Sequence, residues 1–412
     1  MNPILPDNCF VPDAEARKMP DGRLYIYGSW DLSGSSEYCS HELYGFSTID
    51  LINWDDHGVI FQNTDSFCGI PWSPKTPLYA PDCIHRDGKY YLYVCGRSRE
   101  EGVAVADSPT GKFSPAERIE GADGDGIDPS VFVDEDGQAY LFWGQFSLRG
   151  GKLCDDMKTL DKDSVRRDIL TEWEHGFHEG ASIRRRGDKY YMVYTDISRG
   201  KATCLSYAMA EHPLGPYKKC GVIIDNIYCD PESWNNHGSI AEYGGRWYVF
   251  YHRSSERKNT CRRVCVEPIE FDENGYIAEV EQTSGGAEGT IDARRTIPAR
   301  AACRMMGKCY ITHNGEREVL ISTRGGHWGI ADWAEYKYLD FGRGELKGFC
   351  AVVRGKGSII LRVDGGETIG GISFDEKNET AVRADIKSVS GERSLYLFLD
   401  GDFALKEFFF KS

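Results

Sequence analysis

Residues 126–144 read GIDPSVFVDEDGQAYLFWG, and this stretch contains the pattern that decides the fold. An apolar segment that carries one acid, Asp128, leads into the turn DEDG at 134–137, and a second apolar segment follows the turn. Two apolar segments on either side of an Asp-Gly turn are typical of a β-hairpin. The stretch is therefore predicted to be two antiparallel strands.

The same hairpin pattern occurs five times along the chain. When the copies are aligned on a tyrosine that each contains, the successive steps are 66, 49, 51 and 57 residues. β-Repeats with a period of about 40–50 residues are typical of propeller blades. The sequence therefore predicts a five-bladed β-propeller. The aligned tyrosines are Tyr25, Tyr91, Tyr140, Tyr191 and Tyr248.

Each copy also has a titratable residue near the start of its first strand. Counting back twelve residues from the tyrosine reaches Asp13, Asp128 and Glu179, which predicts one shared structural position in three blades. The other two copies have Asp82, nine residues back, and His237, eleven residues back. If these strands are innermost in their blades, the five side chains converge on the propeller axis. Clustered carboxylates are unfavourable unless they have a function, so we expect an active site there.

The hairpin pattern ends near the glycine-rich segment TSGGAEG at 283–289. We therefore assign residues 1–290 to the propeller. Residues 295–412 contain short alternating segments separated by Asp-Gly or Gly-Gly pairs, which is typical of a β-sandwich. The predicted fold class is all-β, with a five-bladed propeller followed by a smaller β-sandwich domain.

Charge and cysteine content limit the partners and the compartment. A net charge of −15 disfavours nucleic acid or an anionic membrane surface as a partner. The 14 cysteines include no C-x-x-C pair, and the N-terminus has no basic region followed by an apolar run. These features predict a cytoplasmic protein with free thiols. A secreted form whose signal has been removed would look the same.

The three carboxylates match the needs of glycoside hydrolysis. This reaction uses one carboxylic acid to protonate the leaving oxygen and one carboxylate as base or nucleophile. A third carboxylate can orient the acid and raise its pKa by repulsion. A lone aspartate before a strand is more often a turn or cap residue. Glu179, however, directly precedes an apolar strand, where a charged group needs a partner or a role.

Taken in order, the motifs resemble those of glycoside hydrolase family 43, the five-bladed propeller enzymes that act on arabinose- and xylose-containing glycans. The resemblance covers residues 1 to about 285. It implies an inverting exo-glycoside hydrolase that releases α-L-arabinofuranose or β-D-xylose from plant cell-wall oligosaccharides. The matching segments are PDAEA at 12–16, GSWD at 28–31, YAPD at 79–82, GIDPSVF at 126–132, HEGAS at 178–182, NHGS at 236–239 and RR at 262–263.

The resemblance also implies roles for individual residues. Asp13 becomes the general base that activates water, Glu179 the general acid, and Asp128 the residue that orients Glu179 and keeps it protonated. His237 matches an axial histidine that lies near a central metal ion or an ordered water in many members. No cofactor is required, but a central calcium ion that His237 holds through water is possible under this resemblance. A histidine that only forms hydrogen bonds inside the funnel is the alternative.

Five further residues are candidates for substrate binding. Arg262 or Arg263 matches an arginine that contacts substrate in the family, with a surface salt bridge as the alternative. Asp82 completes the matching motif of the second repeat. Trp30 and Trp72 are candidate platforms because apolar sugar faces pack on aromatic rings, with wall packing as the alternative.

The C-terminal region resembles, more loosely, the carbohydrate-binding sandwich modules that accompany this family. Trp328 and Trp333 are its candidate sugar contacts, with core packing as the alternative. The sequence leaves open arabinose against xylose, exo against endo action, the metal, sugar binding by this domain and the oligomeric state.

Two other functions are weighed against the hydrolase. Retaining enzymes of the sucrose- and fructan-cleaving group also have five blades, but they carry an Asn-Asp-Pro-Asn-Gly motif and a Glu-Cys motif. Neither is present, and Glu179 is followed by Gly180. A sugar-binding propeller without catalysis is the second alternative, and the presence of all three expected carboxylates argues against it.

Overall fold

The structure is a computed structural model that describes residues 1–122, 124, 126–230, 235–324 and 331–412. Regular structure in these ranges is almost entirely β. The single α-helix among them, α1, is one turn long and spans Glu172–His175. The all-β prediction is confirmed.

Five small antiparallel sheets follow one another along the chain and form the predicted blades. Blade 1 contains β1 (Glu15–Lys18), β2 (Leu24–Ser29), β3 (Glu42–Thr48) and β4 (Trp54–Gln62), and blade 2 contains β5 (Leu78–Arg86), β6 (Lys89–Gly96), β7 (Gly102–Ala106) and β8 (Glu117–Arg118). Blade 3 contains β9 (Ser130–Val133), β10 (Ala139–Trp143) and β11 (Arg149–Leu153). Blade 4 contains β12 (Phe177–Arg186), β13 (Lys189–Asp196), β14 (Cys204–Ala210) and β15 (Lys218–Asp225), and blade 5 contains β16 (Ser239–Tyr243), β17 (Arg246–Ser255) and β18 (Lys258–Ile269).

All five aligned tyrosines lie in the second strand of a blade, in β2, β6, β10, β13 and β17. The first strands β1, β5, β9, β12 and β16 contact one another in a ring and are therefore the innermost strands of their blades. The repeat that predicts the propeller is thus the inner hairpin of each blade.

The N-terminal segment closes the ring of blades. The Asn2 side chain donates to the carbonyl of Val266 at 3.0 Å and accepts from its N–H at 2.9 Å, both on β18. The Ile4 N–H donates to the Val264 carbonyl at 3.1 Å on the same strand. Residues from the start of the chain thereby join the last blade, which stops the ring from opening between blades 5 and 1.

A cluster of buried charges joins the inner strands at the axis. Arg17 of β1 donates from Nε to Asp82 Oδ1 of β5 at 3.0 Å and from Nη2 to the Val131 carbonyl of β9 at 2.7 Å. Arg184 of β12 forms an ion pair with Glu15 of β1. Four blades are therefore tied together through two guanidinium groups. Because these charges are buried, each depends on its partner to offset the loss of water.

The C-terminal domain is a larger sheet around its own core. The long strand β27 is its centre: it pairs with β25 along most of its length, with β24 over its first part and with β23 and β20 over its last part. Its strands are β19 (Ile291–Asp292), β20 (Ile297–Pro298), β21 (Arg304–Met306), β22 (Tyr310–His313), β23 (Glu318–Ser322), β24 (Asp332–Asp340), β25 (Gly348–Val363), β26 (Glu367–Asp385) and β27 (Glu392–Lys411). The domain limits at 290 and 295 stay a prediction.

The buried charge cluster gives a first testable prediction. Arg17→Met should lower the free energy of unfolding by about 3–5 kcal/mol, because Asp82 and Glu15 would remain buried without this cation. Urea unfolding followed by tryptophan fluorescence measures the change. The control is Lys89→Met, which removes an exposed ion pair with Asp107 in blade 2 and should leave the unfolding midpoint nearly unchanged. Equal shifts for the two variants would contradict the prediction.

Candidate active site

A cavity of about 410 Å³ lies where the start of the inner strands meets the propeller axis. Five of the residues predicted from the sequence line it together, although they lie far apart in the chain. They are Asp13, Asp128, Glu179, His237 and Arg262. The structure therefore brings the three predicted catalytic carboxylates to one cavity.

Asp13 and Asp128 occupy equivalent positions in blades 1 and 3. Each lies four residues before the strand partner of the aligned tyrosine, and each has a φ of +58°. Only a few per cent of non-glycine residues adopt this left-handed conformation, and aspartate is enriched among them. His237 occupies the same position in blade 5, four residues before the partner of Tyr248.

The prediction that Glu179 shares this position is wrong. Glu179 lies five residues before Arg184, the strand partner of Tyr191, whereas Asp13 lies four residues before the equivalent Arg17. The cause is the turn of the hairpin, which is one residue shorter in blade 4 than in blade 1. Counting back from the tyrosine therefore reaches one residue too far.

Gly180 occupies the equivalent position in blade 4, with a φ of +65°. A Cβ atom at this position would lie 2.8 Å from Nε2 of His237. Glycine is therefore required both for the backbone conformation and for the close packing of the imidazole. This packing places His237 directly beside the backbone of Glu179.

Asp13 is surrounded by cationic and imidazole groups. Its Oδ1 lies 2.9 Å from Nη1 of Arg262, 3.5 Å from Nδ1 of His237 and 3.8 Å from Nδ1 of His252. Burial opposes ionisation of Asp13, but the charge of Arg262 and then the two histidines outweigh it, so the pKa of Asp13 is lowered. Asp13 is therefore a carboxylate at neutral pH, the form that accepts a proton.

Asp128 has the opposite environment. Burial and then the charges of Glu179 and Asp13 raise the pKa of Asp128 well above its ordinary value, although the Gly180 N–H acts in the other direction. His237 Nδ1 lies 3.9 Å from Asp128 Oδ2. Asp128 thus holds a proton more firmly than Asp13 in the same cavity, and the site contains both a base and a retained proton.

Glu179 is held by an amide. Gln145 Nε2 donates to Glu179 Oε2 at 2.8 Å, and both side chains are half-buried at the cavity wall. This hydrogen bond fixes the orientation of the Glu179 carboxyl group at the cavity wall.

Arg262 is fixed between two carboxylates. It donates from Nε to Asp31 Oδ2 at 2.8 Å and from Nη1 to Asp13 Oδ1 at 2.9 Å. Asp31 is completely buried and also accepts the N–H of Cys39 at 3.1 Å. The Arg262 guanidinium is therefore held by the buried Asp31 on one side and contacts Asp13 at the cavity on the other.

Arg263 and Asp82 lie outside the residues that line the cavity. Arg263 is the next residue on β18 and forms a buried ion pair with Glu318 of the C-terminal domain at 2.7 Å. Neighbouring strand residues point to opposite faces, so only one of the two arginines can reach the axis. The Asp82 carboxylate accepts hydrogen bonds from Arg17 Nε at 3.0 Å and from the Val131 N–H at 2.7 Å.

The two candidate tryptophan platforms of the propeller also lie away from this lining. Trp30 stacks on Tyr44 with the ring centroids 3.8 Å apart. Trp72 packs against Gly102, where a Cβ atom would lie 2.6 Å from its ring, and Arg118 lies over the ring at 5.2 Å. Both tryptophans have wall-packing contacts.

The two candidate sugar contacts of the C-terminal domain are Trp328 and Trp333. Trp328 lies outside the described residues. Trp333 is half-buried and makes an edge contact with Tyr396 at 5.7 Å between the ring centroids. Sugar binding by this domain stays a prediction.

The family resemblance predicts a central metal ion near His237. Within the described parts of the chain, no group of three or more His, Cys, Asp or Glu residues could hold a metal ion. Further along the inner strands, Arg17 and Arg184 are paired with Asp82 and Glu15. A calcium ion near His237 stays a prediction, and the chemistry below uses none.

Several cavity residues were not singled out from the sequence as functional. One signal was available: Gln145 lies two residues after the end of β10, close to the aligned hairpin, and it lines the cavity. The others come from loops between blade strands, where no periodic pattern exists. These residues are Tyr38, Cys39, Tyr79, Arg97, Arg99, Gln145, His178 and Asn235.

An ionised and a protonated carboxyl group that share one cavity of a five-bladed propeller are the kind of arrangement that glycoside hydrolysis uses. The family model described as "Glycosyl hydrolases family 43" matches residues 1–277. The chain therefore belongs to glycoside hydrolase family 43, and it is a glycoside hydrolase.

Two curated relatives each match about two thirds or more of this chain. A xylosidase/arabinosidase of Thermoclostridium stercorarium is 34% identical over 351 residues, which is 74% of this chain and 72% of the relative. Xylosidase/arabinosidase 43A of Humicola insolens is 32% identical and covers 67% of this chain and 98% of its own length.

Solved structures agree with the architecture. A family 43 β-xylosidase/α-arabinofuranosidase from a compost microbial metagenome, solved with xylotriose, is 28% identical with a TM-score of 0.58, covering 68% of this chain and 97% of its own. An arabinoxylan arabinofuranohydrolase from Bacillus subtilis matches 100% of this chain and 97% of its own length with a TM-score of 0.59. At 22% identity, this second match supports the fold alone.

The contact between Arg262 and Asp13 predicts a change in pH dependence. Arg262→Gln removes the cation that lowers the pKa of Asp13, so the pKa rises and the acid limb of the kcat/KM profile should move up by about 1–3 pH units. The matched control is Arg263→Gln, whose side chain pairs with Glu318 instead, and its acid limb should not move. Circular dichroism establishes that both variants are folded. A shift in the control but not in Arg262→Gln would contradict the assignment.

Proposed function

We propose that the protein is an inverting exo-glycoside hydrolase that releases α-L-arabinofuranose or β-D-xylose from plant cell-wall oligosaccharides. The observation that carries the proposal is the single cavity in which Asp13, Asp128 and Glu179 meet. Asp13 favours the ionised form that a base needs, and burial together with the charge of Glu179 opposes ionisation of Asp128, so a proton is retained beside Glu179.

In the proposed reaction, Asp13 accepts a proton from a water molecule as the water oxygen forms a bond to the anomeric carbon. The bond between the anomeric carbon and the glycosidic oxygen breaks at the same time, and Glu179 donates its proton to that oxygen. Afterwards Asp13 carries the extra proton and Glu179 is a carboxylate. Exchange with solvent returns both groups to their starting forms.

The neighbouring groups support this division of roles. Arg262 keeps Asp13 ionised before the reaction. The Gln145 N–H stabilises the Glu179 carboxylate that proton transfer creates, since a hydrogen bond to an ionised acceptor is stronger than one to a neutral acceptor. Asp128 lies close to Asp13 and Glu179, and it is the proposed orienting residue for Glu179.

The shape of the cavity favours action at chain ends. Its volume of about 410 Å³ lies at the low end of the range for ligand pockets, which is about 300–1,000 Å³. The cluster of Arg17, Asp82, Arg184 and Glu15 fills the axis beyond it. A terminal sugar can enter from the open end, whereas a polymer cannot pass through.

The relatives support the choice of sugar. Two of them are named for xylosidase and arabinosidase activity, and a solved neighbour was crystallised with xylotriose in a calcium-free form. We therefore propose xylo-oligosaccharides and arabinose-substituted oligosaccharides as the substrates, with no required cofactor.

We also propose that the enzyme works in a reducing compartment such as the cytoplasm. No disulfide joins any of the 14 cysteines in the described residues, and ten of the cysteines are buried. This number of cysteines without disulfides is typical of reducing surroundings. No described helix is long and apolar enough to cross a membrane. Fractionation of producing cells, with xyloside hydrolysis assayed in each fraction, tests the location.

The roles of the acid and the base predict different responses to the leaving group. Asp13→Asn and Glu179→Gln should each lower kcat on xylobiose by about 10²–10⁴-fold. A 2,4-dinitrophenyl xyloside needs little protonation of its leaving group, so it should restore most of the activity of Glu179→Gln and little of that of Asp13→Asn. Asp188→Asn, in the exposed turn of blade 4, is the control and should match the wild type. Equal recovery of both variants would argue against the roles.

Inversion is tested by the configuration of the first product. An inverting site keeps its acid and base about 6.5–9.5 Å apart so that water fits between them. Proton NMR of a β-xyloside during the first minutes of hydrolysis should therefore show α-xylose before the β-anomer forms by mutarotation. Initial appearance of β-xylose would show a retaining mechanism.

A further inference from the structure

The rim of the cavity next to Glu179 carries an exposed aromatic ring in an unusual backbone conformation. Phe146 directly follows Gln145, the residue that holds Glu179. Its side chain is 48% exposed and its φ is +65°. A left-handed backbone costs a non-glycine residue about 1–2 kcal/mol. Packing into the core does not explain this conformation, since half of the ring lies in solvent.

The surrounding chain holds Phe146 in this position. Its N–H donates to the His178 carbonyl at 2.8 Å, and its carbonyl accepts the Glu172 N–H at 2.9 Å. The ring meets the imidazole of His178 edge-on, with centroids 5.1 Å apart and an interplanar angle of 76°. His178 itself lines the cavity. Phe146 is therefore part of the wall that continues outward from the catalytic groups.

A second exposed aromatic residue follows at once. Trp173 comes directly after Glu172 and lies in the single turn of α1, where its side chain is 98% exposed. The turn is well defined: Thr171 accepts the Glu174 N–H at its start, and Gly176 ends it with a φ of +72°. This turn exposes the Trp173 indole to solvent next to Glu172, whose N–H binds the Phe146 carbonyl. An indole this exposed is available to pack against the apolar face of a bound sugar.

We propose that Phe146 and Trp173 form a platform for the aglycone part of an oligosaccharide, the sugar rings on the leaving side of the scissile bond. The inference rests on the proposed function, in which Glu179 protonates the leaving oxygen. The leaving group must then lie on the side of Glu179, Gln145 and His178, which is the side that carries the platform. The apolar faces of xylopyranose rings are suited to packing on exposed aromatic rings.

The test compares two substrates that share the terminal sugar. β-D-Xylosyl fluoride has no aglycone ring, whereas xylotriose extends across the platform. Phe146→Ala and Trp173→Ala should each lower the ratio of kcat/KM on xylotriose to kcat/KM on the fluoride by about 2- to 10-fold. Tyr276→Ala is the control, because this exposed ring lies by the outermost strand of blade 4. An unchanged ratio in both platform variants would overturn the proposal.

A second measurement does not depend on turnover. In a Glu179→Gln background, xylotriose should protect Trp173 from acrylamide quenching, whereas free xylose, which fills only the catalytic cavity, should not. The contribution of Trp173 is the difference from a Trp173→Phe variant, since the chain has nine tryptophans. Equal quenching with both sugars would overturn the platform. If xylotriose protects Trp173 but the wild-type protein does not hydrolyse xylotriose, the proposed function is overturned and the platform is not.

Discussion

The contact between the Arg262 guanidinium and the Asp13 carboxylate is the interaction on which the active site depends. Asp13 is buried, and burial alone would favour its neutral form, which cannot accept a proton. Arg262 reverses this preference, and Asp31 on its other side keeps the guanidinium from turning away. Arg262 lies on β18, the strand that the N-terminal residues complete. The same strand therefore serves two purposes: it is where the N-terminal residues close the ring, and it carries the arginine that keeps Asp13 ionised.

The inner strands separate chemistry from support along the axis. The positions of Asp13, Asp128 and His237 form the reactive layer, where backbone conformations are strained and charges face a cavity. A few residues further along the same strands, Arg17 and Arg184 neutralise Glu15 and Asp82 away from the cavity. The paired layer therefore supports the fold, whereas the carboxylates of the reactive layer face the cavity.

Much of the fold and of the candidate site follows from local sequence. The five hairpins repeat a short pattern, so their number and the inner position of their first strands are predictable. Asp13, Asp128 and His237 follow from the same repeat. The position of Glu179 relative to them does not, because a turn shorter by one residue in blade 4 shifts the count. The repeated pattern aligns the tyrosines, but it does not fix the number of turn residues between the two strands of each hairpin.

The sequence by itself determined the blades and the acidic residues at the inner strands, because each depends on a local hairpin pattern, and it determined the family through the order of these motifs along the chain. Only the tertiary structure decided that Arg262 and not Arg263 reaches the cavity. It also decided that Trp30 and Trp72 pack in the walls while Phe146 lies at the rim. The reason is physical: these choices depend on which face of a strand a side chain occupies and on contacts such as Arg262 with Asp13, which are 249 residues apart.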